Sequence, residues 1–88
     1  MRRMIWYSHA KQRLNERGLD AKLVLVALQD PDQVISKGKI KIIHKRYRET
    51  SQSKEYLLRI FVEVVGEDWV IRSAYRTSKV TKYWRARL

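Results

Sequence analysis

His9, Arg13 and Arg17 recur at intervals of four residues, a spacing that places one imidazole and two guanidiniums on a single helix face. An imidazole can take a proton, and cations beside it can hold the charge that develops on a phosphate under attack. The positive end of a helix and basic surroundings both favour an uncharged imidazole, the form competent as a base. The plainer reading of the triplet is a solvated face with Glu16 as a local partner.

A second set comes from strand-like alternation. Between Glu55 and Val65, Tyr56, Leu58, Ile60, Val62 and Val64 share one side, and Leu57, Arg59, Phe61, Glu63 and Val65 the other. From Trp69 to Arg76 the same rule puts Trp69, Ile71, Ser73 and Tyr75 on one side and Val70, Arg72, Ala74 and Arg76 on the other. If the apolar sides are buried, Arg59, Phe61, Arg72 and Arg76 project together. Guanidiniums suit phosphates, and an aromatic ring suits an unstacked base. The plainer reading makes Arg59 and Glu63 a surface pair. His44 reads as a sheet histidine adding to a basic face, and Tyr83-Trp84 as part of an apolar helix stripe, with the Tyr83 hydroxyl able to reach a sheet edge.

Other chemistries are excluded. The chain has no cysteine, hence no disulfide, thiol nucleophile or Cys-based zinc site, and its two histidines are far apart. It carries no phosphate-binding GxxxxGK[ST] loop and no HExxH pair. No metal or other cofactor is expected.

These side chains need elements to hold them. The 88 residues make one small domain, spanning 1–88. Met4 to Tyr7 suggests a short strand. Ser8 is a candidate N-cap for a helix over His9–Arg17 that Gly18 ends. Asp20 caps a second helix through Leu28, closed by Asp30-Pro31, with Leu19 and Val24 as a hydrophobic staple. Gln33–Lys37 and Lys39–Arg48 flank Gly38 as a hairpin, and Glu49–Lys54 is a polar turn. Strands over Glu55–Val65 and Trp69–Arg76 follow. Thr77 or Ser78 caps a last helix with Val80, Tyr83, Trp84 and Leu88 as its stripe. The expected fold is α+β in two layers, in the order (β)-α-α-β-β-β-α, with an antiparallel sheet packed on helices and its other face at least partly open.

Twenty Lys and Arg against nine Asp and Glu give a net charge of +11. The stretches Lys37–Arg48 and Arg72–Arg87 hold six basic residues each and no acid. Such a field concentrates polyanions, and nucleic acid is the commonest one in a cell. The longest apolar run, Leu23–Leu28, falls far short of the roughly 20 residues of a membrane span, so a cytoplasmic location and no membrane contact are expected.

Ser8 to Leu19 (SHAKQRLNERGL) and Ile71 to Lys79 (IRSAYRTSK) resemble a family of small prokaryotic and phage proteins similar to the BrnT toxins and, more distantly, to the RelE/ParE-type toxins of toxin–antitoxin pairs. The resemblance runs from about Tyr7 to Trp84. It implies a RelE-like fold and a metal-independent endoribonuclease that cuts messenger RNA, free or on the ribosome, and is silenced by an acidic antitoxin protein. By that pattern His9, Arg13, Arg72, Tyr75 and Arg76 fall on catalytic positions, with Tyr83 a loose match to a C-terminal catalytic tyrosine. Arg17, Lys45, Arg46, Arg59, Phe61, Thr77, Ser78 and Lys79 are the corresponding RNA-binding candidates. ParE-like relatives act on DNA gyrase instead, so a protein target and a non-catalytic RNA- or DNA-binding module are the alternatives.

Overall fold

A computed structural model of the chain describes residues 3–49, 51 and 53–85. Leu88 of the expected apolar stripe, Arg87 of the second basic stretch, and Thr50 and Gln52 of the polar turn lie outside them. The elements in chain order are β1 (Arg3–Trp6), α1 (Ala10–Glu16), α2 (Ala21–Gln29), β2 (Gln33–Lys37), β3 (Ile40–Glu49), β4 (Lys54–Val65), β5 (Asp68–Thr77) and α3 (Val80–Tyr83). Both arms of the expected hairpin form strands, so the order has one strand more than (β)-α-α-β-β-β-α while each strand falls on a segment read from the sequence.

Local chemistry explains the boundaries. Asp20 is extended and its carboxylate accepts from Lys22 N at 2.9 Å, satisfying one of the orphan donors at the start of α2. Gly18 ends α1 at φ +71°, a conformation that costs glycine little, while Leu19 N returns to Leu14 O at 3.0 Å. Gly38 turns the first hairpin at φ +60°. The start of α1 departs from expectation: His9, not Ser8, is the N-cap, at φ 64° and without a side-chain cap bond.

The five strands form one sheet in the order β1-β5-β4-β3-β2. It is mixed rather than antiparallel, because β1 runs parallel to β5, with Met4 opposite Trp69 and Trp6 opposite Ile71. That pairing needs a crossover, which the long path through α1 to β4 supplies. Leu14, Leu19, Val24, Ala27 and Leu28 of the helical segment meet Ile43, Leu58, Ile60, Val62, Trp69, Ile71 and Ala74 of the sheet in the main core. Both staple residues are buried there. Removing this much apolar surface from water is the principal stabilising term of the domain.

The alternation in β4 is as expected: Leu58, Ile60 and Val62 are buried against the helices. The phase of β5 is not. A register shift opposite Phe61 and Val62 pairs Phe61 with Ser73 and Val62 with Ile71, leaving Arg72 as the extra residue of a bulge. Trp69, Ile71, Ala74 and Arg76 therefore share the helix-covered face, and Val70, Ser73 and Tyr75 the other. Arg76 is thus on the opposite side from Arg59 and Phe61.

The second face is not fully open either. The short helix α3 packs on β4 from that side, and Ile42, Leu57 and Val80 are buried outside the main core. The chain leaves helical geometry at Trp84, so α3 is shorter than the expected stripe.

Candidate nucleic-acid interface

β3, β4 and β5 bring His44, Arg59 and Tyr75 side by side on the second face, since His44 is the register partner of Arg59 and Arg59 that of Tyr75. His44 is fully buried. Arg59 Nε donates to its Nε2 at 3.1 Å. A guanidinium only donates, so Nε2 is the acceptor and Nδ1 carries the proton, which it gives to Gln33 Oε1 at 3.1 Å. Burial, followed by the charges of Arg59 and Arg85, pushes the His44 pKa down to about 4. His44 is therefore a neutral hydrogen-bonding support at pH 7. It adds no charge to the face, contrary to the sequence reading, and its one lone pair is occupied.

Arg59 Nη1 donates to the Tyr75 hydroxyl at 2.5 Å. The guanidinium carbon lies 4.3 Å from the Tyr83 ring centroid, 5.2 Å from Phe61 and 5.6 Å from Tyr75. Phe61 and Tyr75 themselves stack with centroids 6.1 Å apart. All four side chains are half-buried. Of the five N–H donors of a guanidinium, the bonds to His44 and Tyr75 use two, leaving three. Among the described residues no carboxylate pairs with Arg59, so its full charge is retained in a site of lowered dielectric. The Tyr75 oxygen accepts from Arg59, which leaves its own proton to donate.

The other basic candidates are largely spent inside the protein. Arg46 forms a bidentate pair with Glu55 at 3.0 and 3.3 Å and lies 5.0 Å from the Trp84 ring centroid. Lys45 Nζ lies 3.4 Å from both Asp30 and Asp32. Arg76 is paired with Glu49 at 2.8 Å over the Tyr56 ring, on the helix-covered face. Arg17 Nη1 donates to Ala74 O at 2.7 Å, tying α1 to β5. Arg72 reaches Glu63 at 3.0 Å on the second face and sits 3.9 Å from the Tyr7 ring centroid.

The five expected catalytic residues do not converge. Tyr75 is in the Arg59 cluster, and Arg72 is on the same face at the bulge. His9 and Arg13 are exposed on the turn and helix that follow Tyr7, and Arg76 is across the sheet. Thr77 Oγ1 accepts from Lys79 N at 3.1 Å, a local turn beside exposed Ser78. The expected pair Arg59 and Phe61 is present, with Tyr83 added by α3.

Sequence reasoning missed His44 and Gln33 as supports and assigned Trp84, with Tyr83, to an apolar helix stripe. Gln33 accepts from Arg85 N at 3.1 Å and also donates to Arg85 O, so its amide anchors the segment that stacks Trp84 on His44 at a centroid distance of 6.3 Å. A signal did exist: Ile42 and Ile43 are adjacent and both apolar, the pattern of a strand covered on both faces, which puts His44 on the same side as buried Ile42.

Among the described residues no three His, Asp or Glu side chains group to hold a metal ion, and no helix is long and apolar enough to cross a membrane. No protein-family model, curated protein or solved structure matches the chain.

Proposed function

We propose that this protein is a metal-independent endoribonuclease of toxin type that binds single-stranded RNA on the second face of its sheet. The observation that carries this reading is the Arg59 cluster: an uncompensated, preorganised guanidinium held by a neutral His44, with the Tyr75 hydroxyl on it and aromatic rings around it. RNA contains its own nucleophile. A base takes the 2′-OH proton, the 2′-oxygen bonds to the adjacent phosphorus, and the bond to the 5′-oxygen breaks as that oxygen gains a proton. The products are a 2′,3′-cyclic phosphate and a 5′-OH.

Arg59 supplies charge to the non-bridging oxygens of the phosphorane, Tyr75 is the proton donor to the leaving oxygen, and Phe61 and Tyr83 flank the nucleotide. His44 is not the base, because its lone pair faces Arg59. His9, the expected base, is on the exposed turn after Tyr7 and does not converge with this cluster, so no side chain is assigned to that step. An acidic antitoxin-like partner that silences the site by occupying Arg59 belongs to the same proposal.

The fact that both nitrogens of the central imidazole are engaged favours a second reading, a non-catalytic RNA-binding module. One experiment separates the two: RNA incubated with the purified protein in EDTA, with the end groups analysed. Cyclic phosphate ends that disappear with Arg59→Ala support the nuclease. RNA that stays intact while bound supports the module.

A further inference from the structure

A groove of about 820 Å³ runs along the outer strand β2, lined by Pro31 to Ser36 on one side and by Trp84 and Arg85 on the other. Its size is that of a site for a small ligand. β2 is the edge of the sheet, so among the described residues its outward backbone N–H and C=O groups have no strand partner. The groove is joined to the Arg59 cluster by a continuous set of contacts. Gln33, in its wall, holds His44 and the Arg85 backbone, and Trp84, in its other wall, stacks on His44.

The groove's charge is positive. It comes from Arg85, which is exposed, since Arg46 beside the Trp84 ring is already paired with Glu55. The one acid in the lining, Asp32, is engaged by Lys45 Nζ and by Arg46 N at 2.8 Å. An aromatic ring, a guanidinium with no carboxylate partner among the described residues, and an edge of backbone donors and acceptors are the groups that hold an unpaired nucleotide.

We infer that the groove between β2 and the Trp84–Arg85 segment is a second nucleotide subsite, which takes the residue adjoining the phosphate on Arg59 in the same RNA strand. The inference rests on the RNA reading above. In this arrangement Trp84 packs against the base, Arg85 meets the next phosphate, and the edge of β2 supplies polar contacts to the base. Gln33, whose amide bonds to His44 and to both backbone groups of Arg85, sets the width of the groove.

The test uses the full chain and non-cleavable oligonucleotides with a 2′-O-methyl group at the cleavage position. A dinucleotide is compared with the same dinucleotide lengthened by two residues at its 5′ or its 3′ end, and binding is followed by fluorescence anisotropy. Lengthening at one end is expected to tighten binding roughly tenfold, the scale of one base on an aromatic ring with its phosphate, and lengthening at the other end to do much less. Trp84→Ala and Arg85→Ala should each remove most of that gain. Arg85→Ala keeps the backbone bonds to Gln33, so it decides the matter if Trp84→Ala fails to fold. The same gain in wild type and both variants, or no gain in wild type, overturns the subsite while leaving the Arg59 site standing. A valine/glutamate peptide that shifts the backbone amides of Val34 and Ile35 where the oligonucleotides do not would also overturn it, in favour of a protein strand. Failure of every oligonucleotide to bind would remove the RNA reading itself.

Discussion

Arg59 and Arg76 stand close together in the sheet, each against a tyrosine ring, and they have opposite fates. Arg76 lies 4.3 Å from the Tyr56 ring centroid and is paired with the Glu49 carboxylate. Arg59 lies 4.3 Å from the Tyr83 ring centroid and is held by a neutral imidazole and a phenol. Both are fixed in place, but only Arg59 is fixed without being neutralised. A bound anion recovers the full Coulomb attraction at Arg59, whereas at Arg76 it must first displace a carboxylate. The difference shows that a basic sequence and a binding surface are not the same thing. Arg3, Lys45, Arg46, Arg72 and Arg76 all carry internal carboxylates, and the choice of a histidine rather than an acid beside Arg59 is what keeps its charge available.

The sharpest contrast is between the two sets of phenols. Tyr75→Phe removes the proton donor on Arg59 and is expected to slow RNA cleavage by about 100-fold or more while changing affinity by less than about threefold. Tyr56→Phe beside Arg76 should leave cleavage rates near wild type. Single-turnover cleavage of a short RNA checks both, and equal effects of the two would dissolve the distinction.

The neutral support also has a pH signature. His44 is pushed down to about 4 from its ordinary 6.5, so between those values the unfolded chain binds the proton and the folded one does not. Its contribution to stability is therefore fully present above pH 6.5, declines as pH falls through this window, and stops changing below about 4. The size is about 3 kcal/mol. Urea unfolding at a series of pH values should show this slope for the wild type and a flatter one for His44→Gln. The same slope in both proteins would mean that His44 is not the titrating group.

A smaller effect should come from freeing the spent cation. Glu49→Gln leaves Arg76 charged and unpaired, and is expected to tighten RNA binding by about threefold at low salt and to steepen the salt dependence slightly. Affinity measured across a salt series reports both. No change would indicate that Arg76 is out of reach of bound RNA even when free.

Much of this architecture is legible in the sequence where a rule of short range applies. Asp20 and Gly18 mark the helix ends, and five alternating apolar residues from Tyr56 to Val64 give the phase of β4. The phase of β5 is not legible in the same way, because a bulge at Arg72 needs the register of a neighbouring strand, which no local pattern encodes. For the same reason simple alternation puts Arg76 on the wrong face. The parallel pairing of β1 depends on hydrogen bonds between residues about 65 apart in the chain. Part of the site is visible too: Arg59 and Phe61 follow from alternation alone. The state of His44 is not, since its neutrality depends on burial, with Trp84 stacked on its ring, and on Arg59, both supplied by tertiary structure.

The difference between the two arginines is tested most directly by the affinity of a non-cleavable, single-stranded RNA for Arg59→Ala and Arg76→Ala, each first shown to fold by its circular dichroism and thermal transition. A fall in affinity of about 30-fold at Arg59 and of about threefold or less at Arg76 is the expected result. The first is the scale of a half-buried, charge-assisted hydrogen bond to phosphate, and the second that of a cation already neutralised by its own carboxylate. Equal falls at the two positions, or the larger fall at Arg76, would contradict the assignment of the RNA site to the face that carries Arg59.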